Sequence, residues 1–283
     1  MLKSIGSQQG INMSSCSQSI HEMSLSSQEI FYLPAGKEIE IFSQAHKSKI
    51  PILLKGPTGC GKTRFIELMA ERLELELITV SCNEDTSATD LLGRHLLVGG
   101  NTEWMDGPVT RAIRNGALLY LDEISEARPD AIVVIHSLAD HRRELFLDRT
   151  GERIKAVDKF MFVGSYNPSY QKSLRELKPS TRQRFASLAL EYPNEKDEVT
   201  IVSIESGIEH KTATQIVKIG RKIRRMSDLS LMESVSTRLL ITAAKLIESG
   251  IPPRTACICS IAEPLTDDDD ERIALRQLIE ISI

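Results

Sequence analysis

Apolar and polar positions follow two different rhythms along this chain. Up to residue 193, short apolar runs of strand length recur at 50–54, 75–82, 117–121, 160–165 and 186–190. Between them lie stretches with apolar residues at helical spacing, at 39–47 (Ile39, Ile41, Phe42, Ala45), 62–73, 87–92, 108–114 and 129–139. Strands alternating with helices predict an α/β fold, a parallel sheet flanked by helices. The continuous run at 117–121 reads as a strand buried on both faces. After Pro193 only the helical period remains, at 195–206, 212–226, 237–249 and 269–281, with breaks at Gly207, Asp228 and Pro252-Pro253. These patterns predict an α/β domain over 28–193 and a small helical domain over 194–283.

Two stretches fit neither rhythm. Residues 93–107 are punctuated by glycine and hold the single tryptophan, Trp104, with a hairpin turn expected at Gly99-Gly100-Asn101. Residues 144–154 alternate apolar and polar around Thr150-Gly151, a second β-hairpin. Residues 1–27 are rich in Ser and Gln and poor in apolar side chains, so that segment is expected to be disordered.

The richest chemistry lies where the first apolar run meets a helix, at Gly56-Pro57-Thr58-Gly59-Cys60-Gly61-Lys62-Thr63. Glycines there let backbone N–H groups approach phosphate oxygens, and the following helix points its N-terminal amides at the same place. Lys62 is suited to reach the β- and γ-phosphates of a nucleotide, and the Thr63 hydroxyl to ligate Mg²⁺. The run at 117–121 ends in Asp122-Glu123, where α/β sheets hold ligands. Asp122 is the expected carboxylate on the Mg²⁺ side, and Glu123 the candidate to orient an attacking water. Asn167, before Pro168, ends the next strand, either as a turn residue or as a contact to the γ-phosphate or the water. Arg182 and Arg184 sit at a helix-to-strand junction, either as a solvated pair or with one reaching a neighbouring subunit's γ-phosphate.

The composition of the 283 residues, 41% hydrophobic and 26% charged, is that of a globular protein. No apolar run approaches the ~20 residues of a membrane span. The N-terminus lacks a secretory pattern, so a cytoplasmic location is expected. A net charge of −4 argues against a surface built for nucleic acid. The five cysteines have no metal-site spacing and are expected to be free thiols; His136 and His141 are five apart and read as structural or surface residues.

Taken in order, the phosphate loop, the Asp122-Glu123 strand end, Asn167, the paired arginines and a helical domain carrying Ser236-Thr237-Arg238 resemble an AAA+ ATPase. The two insertions resemble those of its MoxR branch. Residues 54–65, Tyr120-Leu121-Asp122-Glu123, Ser165-Tyr166-Asn167-Pro168 and 178–185 are similar to the CbbQ/NirQ/NorQ/GvpN group. Ile124-Ser125-Glu126 departs from the expected apolar continuation. The resemblance implies a hexameric, Mg²⁺-dependent ATPase that hydrolyses ATP between subunits. Asn167 takes the sensor-1 role, Arg184 the arginine finger (with Arg182 assisting or replacing it) and Arg238 the sensor-2 contact from the helical lid. It also implies a von Willebrand A-domain partner and a client enzyme, either Rubisco or nitric oxide reductase, or a part in gas-vesicle assembly. A small-molecule P-loop kinase, a DNA-acting AAA+ protein and a nucleotide-gated scaffold are the alternatives.

Overall fold

The computed structural model describes residues 30–168, 177–226 and 234–283. The Ser/Gln-rich segment at 1–27 and the break at Asp228 lie outside the described residues. In chain order the first half runs α1 (Glu38–Lys47), β1 (Ile52–Lys55), α2 (Lys62–Arg72), β2 (Leu77–Ser81), α3 (Ala88–Leu92), β3 (Gly93–Val98), β4 (Asn101–Asp106), α4 (Pro108–Asn115) and β5 (Leu118–Asp122). It continues with α5 (Pro129–Leu138), β6 (Glu144–Leu147), β7 (Glu152–Lys155), β8 (Met161–Tyr166), α6 (Pro179–Arg182) and β9 (Ala186–Ala189). Helices follow: α7 (Glu195–Ser206), α8 (His210–Arg224), α9 (Thr237–Glu248), α10 (Pro253–Cys257), a π turn (Ile258–Ala262), α11 (Glu263–Leu265) and α12 (Asp269–Ser282).

Strands β2, β5, β8, β1 and β9 form, in that order, one five-stranded parallel sheet. Alternation along each strand divides its side chains between two cores. Leu53, Leu119, Leu121 and Phe162 face a cluster that includes Val109, Ile113 and Ile135 from α4 and α5. Ile52, Leu54, Leu118, Tyr120 and Val163 face the other, with Phe42 of α1 and Phe65 and Met69 of α2. Both faces are covered, as the continuous apolar runs require. The later helices enclose a third cluster, including Val202, Ile216, Leu240 and Ile279. Side-chain caps fix three of them: Asn194 on α7, Ser236 on α9 and Asp268 on α12.

Both expected hairpins are present, as two-stranded sheets β3–β4 and β6–β7 outside the main sheet. Gly99 and Gly100 turn the first with φ of +57° and +87°, as a two-residue primed turn demands. Asn101, expected within the turn, instead pairs with Val98 as the first residue of β4. One larger difference concerns Pro252-Pro253. The sequence pattern predicts an interruption there lasting until 269, yet Pro253 opens α10. Proline is unfavourable inside a helix but suits its first position, where no amide bond is lost.

Candidate active site

The loop after β1 is shaped by contacts only glycine allows at two places. A Cβ on Gly56 would collide with the Leu190 carbonyl oxygen, and Gly59 adopts φ +67° with a Cβ position 2.6 Å from Cβ of Ser236. Gly61 caps α2 in the left-handed conformation. Lys62, the first residue of α2, folds back over the loop and donates from Nζ to the carbonyls of Gly56 (2.9 Å) and Pro57 (3.0 Å). Cys60 is buried, and that burial raises its thiol pKa despite the nearby Lys62 charge.

Asp122 ends β5 within a set of hydroxyls. Tyr120, two residues earlier and so on the same face of the strand, donates to Asp122 Oδ1 at 2.7 Å. Ser165, on neighbouring β8, donates to the same oxygen. The Thr63 hydroxyl, at the start of α2, lies close enough to act on the Tyr120 phenol. Burial, with the Asp122 charge beside it, raises the Tyr120 pKa and keeps the phenol a donor. Ser165 Oγ in turn accepts the Glu123 amide at 3.2 Å. Glu123 itself sits at φ +53°, ψ +46°, a left-handed conformation uncommon for a non-glycine residue, and its side chain is exposed. Burial and the two carboxylates together push the nearby Cys82 thiol up to about 12.

A cleft of about 880 Å³ joins these groups. Thr58 to Thr63, Asp122 and Glu123 line it, together with Thr237 and Arg238 from α9. Asn167, buried at the end of β8, adjoins the loop by donating to the Thr58 hydroxyl at 3.2 Å. Arg182 and Arg184 are not among the residues lining the cleft. Arg184 lies 3.5 Å from the His136 carbonyl and 3.8 Å from Asp140 of the same chain. His136 is hydrogen-bonded to Thr181 at 2.7 Å.

Several groups at this site carry no signal that sequence reasoning picked out. Tyr120 and Ser165 were legible in principle, as polar atoms inside buried strands. Tyr192, whose hydroxyl donates to the Thr58 carbonyl at 3.1 Å, and the buried Glu198–Arg224 pair lie in stretches with no motif.

For Mg²⁺, hard oxygen donors are the fitting set, and a carboxylate with a hydroxyl beside a phosphate site meets that need. Thr63 and Asp122, both lining the cleft, are residues of that kind. Among the described residues no group of three or more His, Cys, Asp or Glu could hold a metal alone, which a cation shared with phosphates does not require.

A parallel sheet with a phosphate loop after its β1 strand, strand-end carboxylates and a following helical region defines a nucleotide-binding ATPase of the AAA+ class. The family description "AAA domain (dynein-related subfamily)" matches residues 51–185, and "CbbQ/NirQ/NorQ C-terminal" matches residues 198–282. The denitrification regulatory protein NirQ of Pseudomonas aeruginosa is 52% identical over 89% of this chain and 97% of its own length. The NorQ protein of Paracoccus denitrificans is 51% identical (88% and 92% covered), and the CbbQ protein of Hydrogenophilus thermoluteolus 50% (88% and 93%). Among solved structures, a point mutant of RuvB from Thermotoga maritima superposes with a TM-score of 0.54 at 18% identity, covering 87% of this chain and 69% of that one. That likeness concerns the fold alone. The chain belongs to the CbbQ/NirQ/NorQ family of MoxR-type AAA+ ATPases. This membership sets aside the small-molecule kinase alternative.

Proposed function

We propose that the protein is a Mg²⁺-dependent ring ATPase, hexameric and cytoplasmic, that remodels a client enzyme together with a von Willebrand A-domain adaptor. The client is a nitric oxide reductase or a Rubisco, the two classes implied for this group. In this reading residues 28–193 are the motor core and 194–283 the lid. Lys62 and the loop amides hold the phosphates of ATP. Thr63 and Asp122 hold Mg²⁺, which neutralises charge on the phosphates. Glu123 aligns the attacking water, and Asn167 fixes it against the loop. Arg238 contacts the phosphates from the lid, and Arg184, assisted or replaced by Arg182, contacts them from the adjacent subunit. The hairpins at 93–107 and 144–154 face the ring's pore.

The position of Arg184 carries this reading. It lies away from the cleft of its own chain, so its service to an ATP site requires a second copy. The test is ATPase rate against protein concentration, with wild type and Arg184→Ala mixed in varied ratios. Cooperative activity that the variant poisons supports the shared site. A flat rate per molecule, with mixing that merely dilutes, overturns it. Glu123→Gln should bind ATP and keep the ring while hydrolysing poorly; undiminished turnover removes Glu123 from its role. Purified client and adaptor candidates then separate the two client classes by which pair accelerates hydrolysis.

A further inference from the structure

The phosphate loop and the N-terminus of α9 are joined by two routes, one steric and one polar. The steric route is the contact of Gly59 with Ser236, too close to admit a Cβ. The polar route starts at the carbonyl of Thr58. Lys62 bonds the two carbonyls before it, and Tyr192 bonds this one. The Tyr192 ring carries the Arg224 guanidinium 4.1 Å from its centroid. Arg224 forks onto Glu198 at 2.8 and 2.6 Å, and Glu198 is fully buried. The same carboxylate accepts the Thr237 hydroxyl at 2.7 Å. Thr237 is the first residue of α9 and immediately precedes Arg238, which lines the nucleotide cleft.

We infer that Tyr192 is a positioning residue for ATP hydrolysis, the end of a strut through Arg224, Glu198 and Thr237 that sets the reach of Arg238 into the cleft. The buried parts of the strut have little freedom. A forked guanidinium–carboxylate pair fixes the plane of both groups, and an arginine stacked on an aromatic ring fixes that ring in turn. The tyrosine hydroxyl is the weakest member, one neutral hydrogen bond to the loop. It is also the member that meets the backbone next to the carbonyls Lys62 holds. A phosphate that draws Lys62 off Gly56 and Pro57 acts on the same stretch of backbone that Tyr192 grips. The strut converts that change into a displacement of α9 and its arginine. The inference rests on the proposed role of Arg238.

The test is a double-mutant cycle on the full chain with Tyr192→Phe and Arg238→Ala, reading kcat and KM for ATP with thermal unfolding as a check on folding. Tyr192→Phe keeps the ring under Arg224 and removes only the hydroxyl. It should lower kcat by about three- to tenfold, the size one neutral hydrogen bond sets, with KM and melting temperature little changed. In the Arg238→Ala background the same substitution should change kcat by less than about twofold. An equal fall in both backgrounds overturns the route through Arg238, although Arg238 keeps its own role. A change below twofold in the wild-type background, or a loss of melting temperature with kcat intact, reduces Tyr192 to packing and also overturns it. If Arg238→Ala alone leaves kcat untouched, the lid-arginine reading fails first and the strut with it.

Discussion

Removing the carboxylate of Glu198 should destabilise the helical region far more than removing the whole ion pair. Glu198 has no solvent exposure, and Arg224, at 11%, has little. The carboxylate accepts two bonds from Arg224 and one from Thr237, and Arg221 lies 3.7 Å away. Breaking such a buried pair from one side costs about 3–5 kcal/mol, because the remaining charge stays in low dielectric. Arg224 would keep its bond to the Val235 carbonyl and its stacking on Tyr192, which places Glu198→Ala near the lower end. About 3 kcal/mol corresponds to a fall in melting temperature of about 6–12 °C for a chain of this size. Replacing both partners by apolar residues of similar volume, Glu198→Leu with Arg224→Met, removes both charges of the pair, leaves Arg221 beside Glu195 and should recover more than half of the loss. The assay is thermal unfolding by circular dichroism, with chemical denaturation as a second measure. A Glu198→Ala protein that melts within about 1 °C of wild type, or a double variant that loses the sum of the two singles, refutes this account of the network.

The cleft lining makes a smaller prediction: one amino group of Arg64 on α2 reaches both carboxylate oxygens of Glu205 on α7 at 3.0 and 3.1 Å, partly exposed. Arg64→Ala should speed release of a fluorescent nucleotide by up to about fivefold, as a surface pair allows, with the difference shrinking in high salt in stopped-flow traces. The thiols of Cys82 and Cys257, both buried and pushed up to about 12 and about 11, should resist alkylation at about pH 8. Among the cysteines of the described residues, exposed Cys259 should react first in a mass-mapped time course. His136 has its pKa lowered by burial and by the charges of Arg184 and Lys178. The unfolded chain therefore takes up this proton first, so the stability tied to neutral His136 is complete above about pH 6.5 and drains as pH falls below it. His136→Asn should flatten melting temperature against pH between about 7.5 and 5.5 relative to wild type.

The sequence was most legible where one local rule acts alone. Apolar runs identified the five sheet strands, most cleanly β1, β5 and β8 in the middle of the sheet, because a strand covered on both faces tolerates few polar side chains. The loop at 56–63 was legible because its glycines and lysine answer to the chemistry of phosphate. Pro252-Pro253 misled because proline has opposite meanings at a helix's first turn and inside it, and only the tertiary course of the chain decides which applies. Tyr192, Glu198 and Arg224 were invisible for another reason. Their meaning comes from contacts across 26 residues between α7 and α8, and across 134 between Tyr192 and the loop. No short-range spacing encodes such contacts.

The two consecutive carboxylates at the end of β5 show how a motif letter gains a task from its surroundings. Asp122 shares a strand face with Tyr120, and that face meets Thr63 and Ser165, so hydroxyl donors orient its carboxylate beside the phosphate loop. Such a group is suited to a fixed electrostatic duty, since preorganised donors need no rearrangement when charge arrives. Glu123 lies past the end of the sheet ladder. Its backbone turns left-handed, with its amide anchored on the same Ser165, while its side chain stays exposed at the cleft. The strain of that conformation, about 1–2 kcal/mol for an L-residue, is tolerable because Ser165 holds both neighbours at once. Ser165→Ala should therefore disturb the pair together. It removes a donor from Asp122 and the acceptor of the Glu123 amide, and should lower kcat for ATP more than it raises KM. A variant with unchanged kcat would mean that the strand end holds its geometry without the serine.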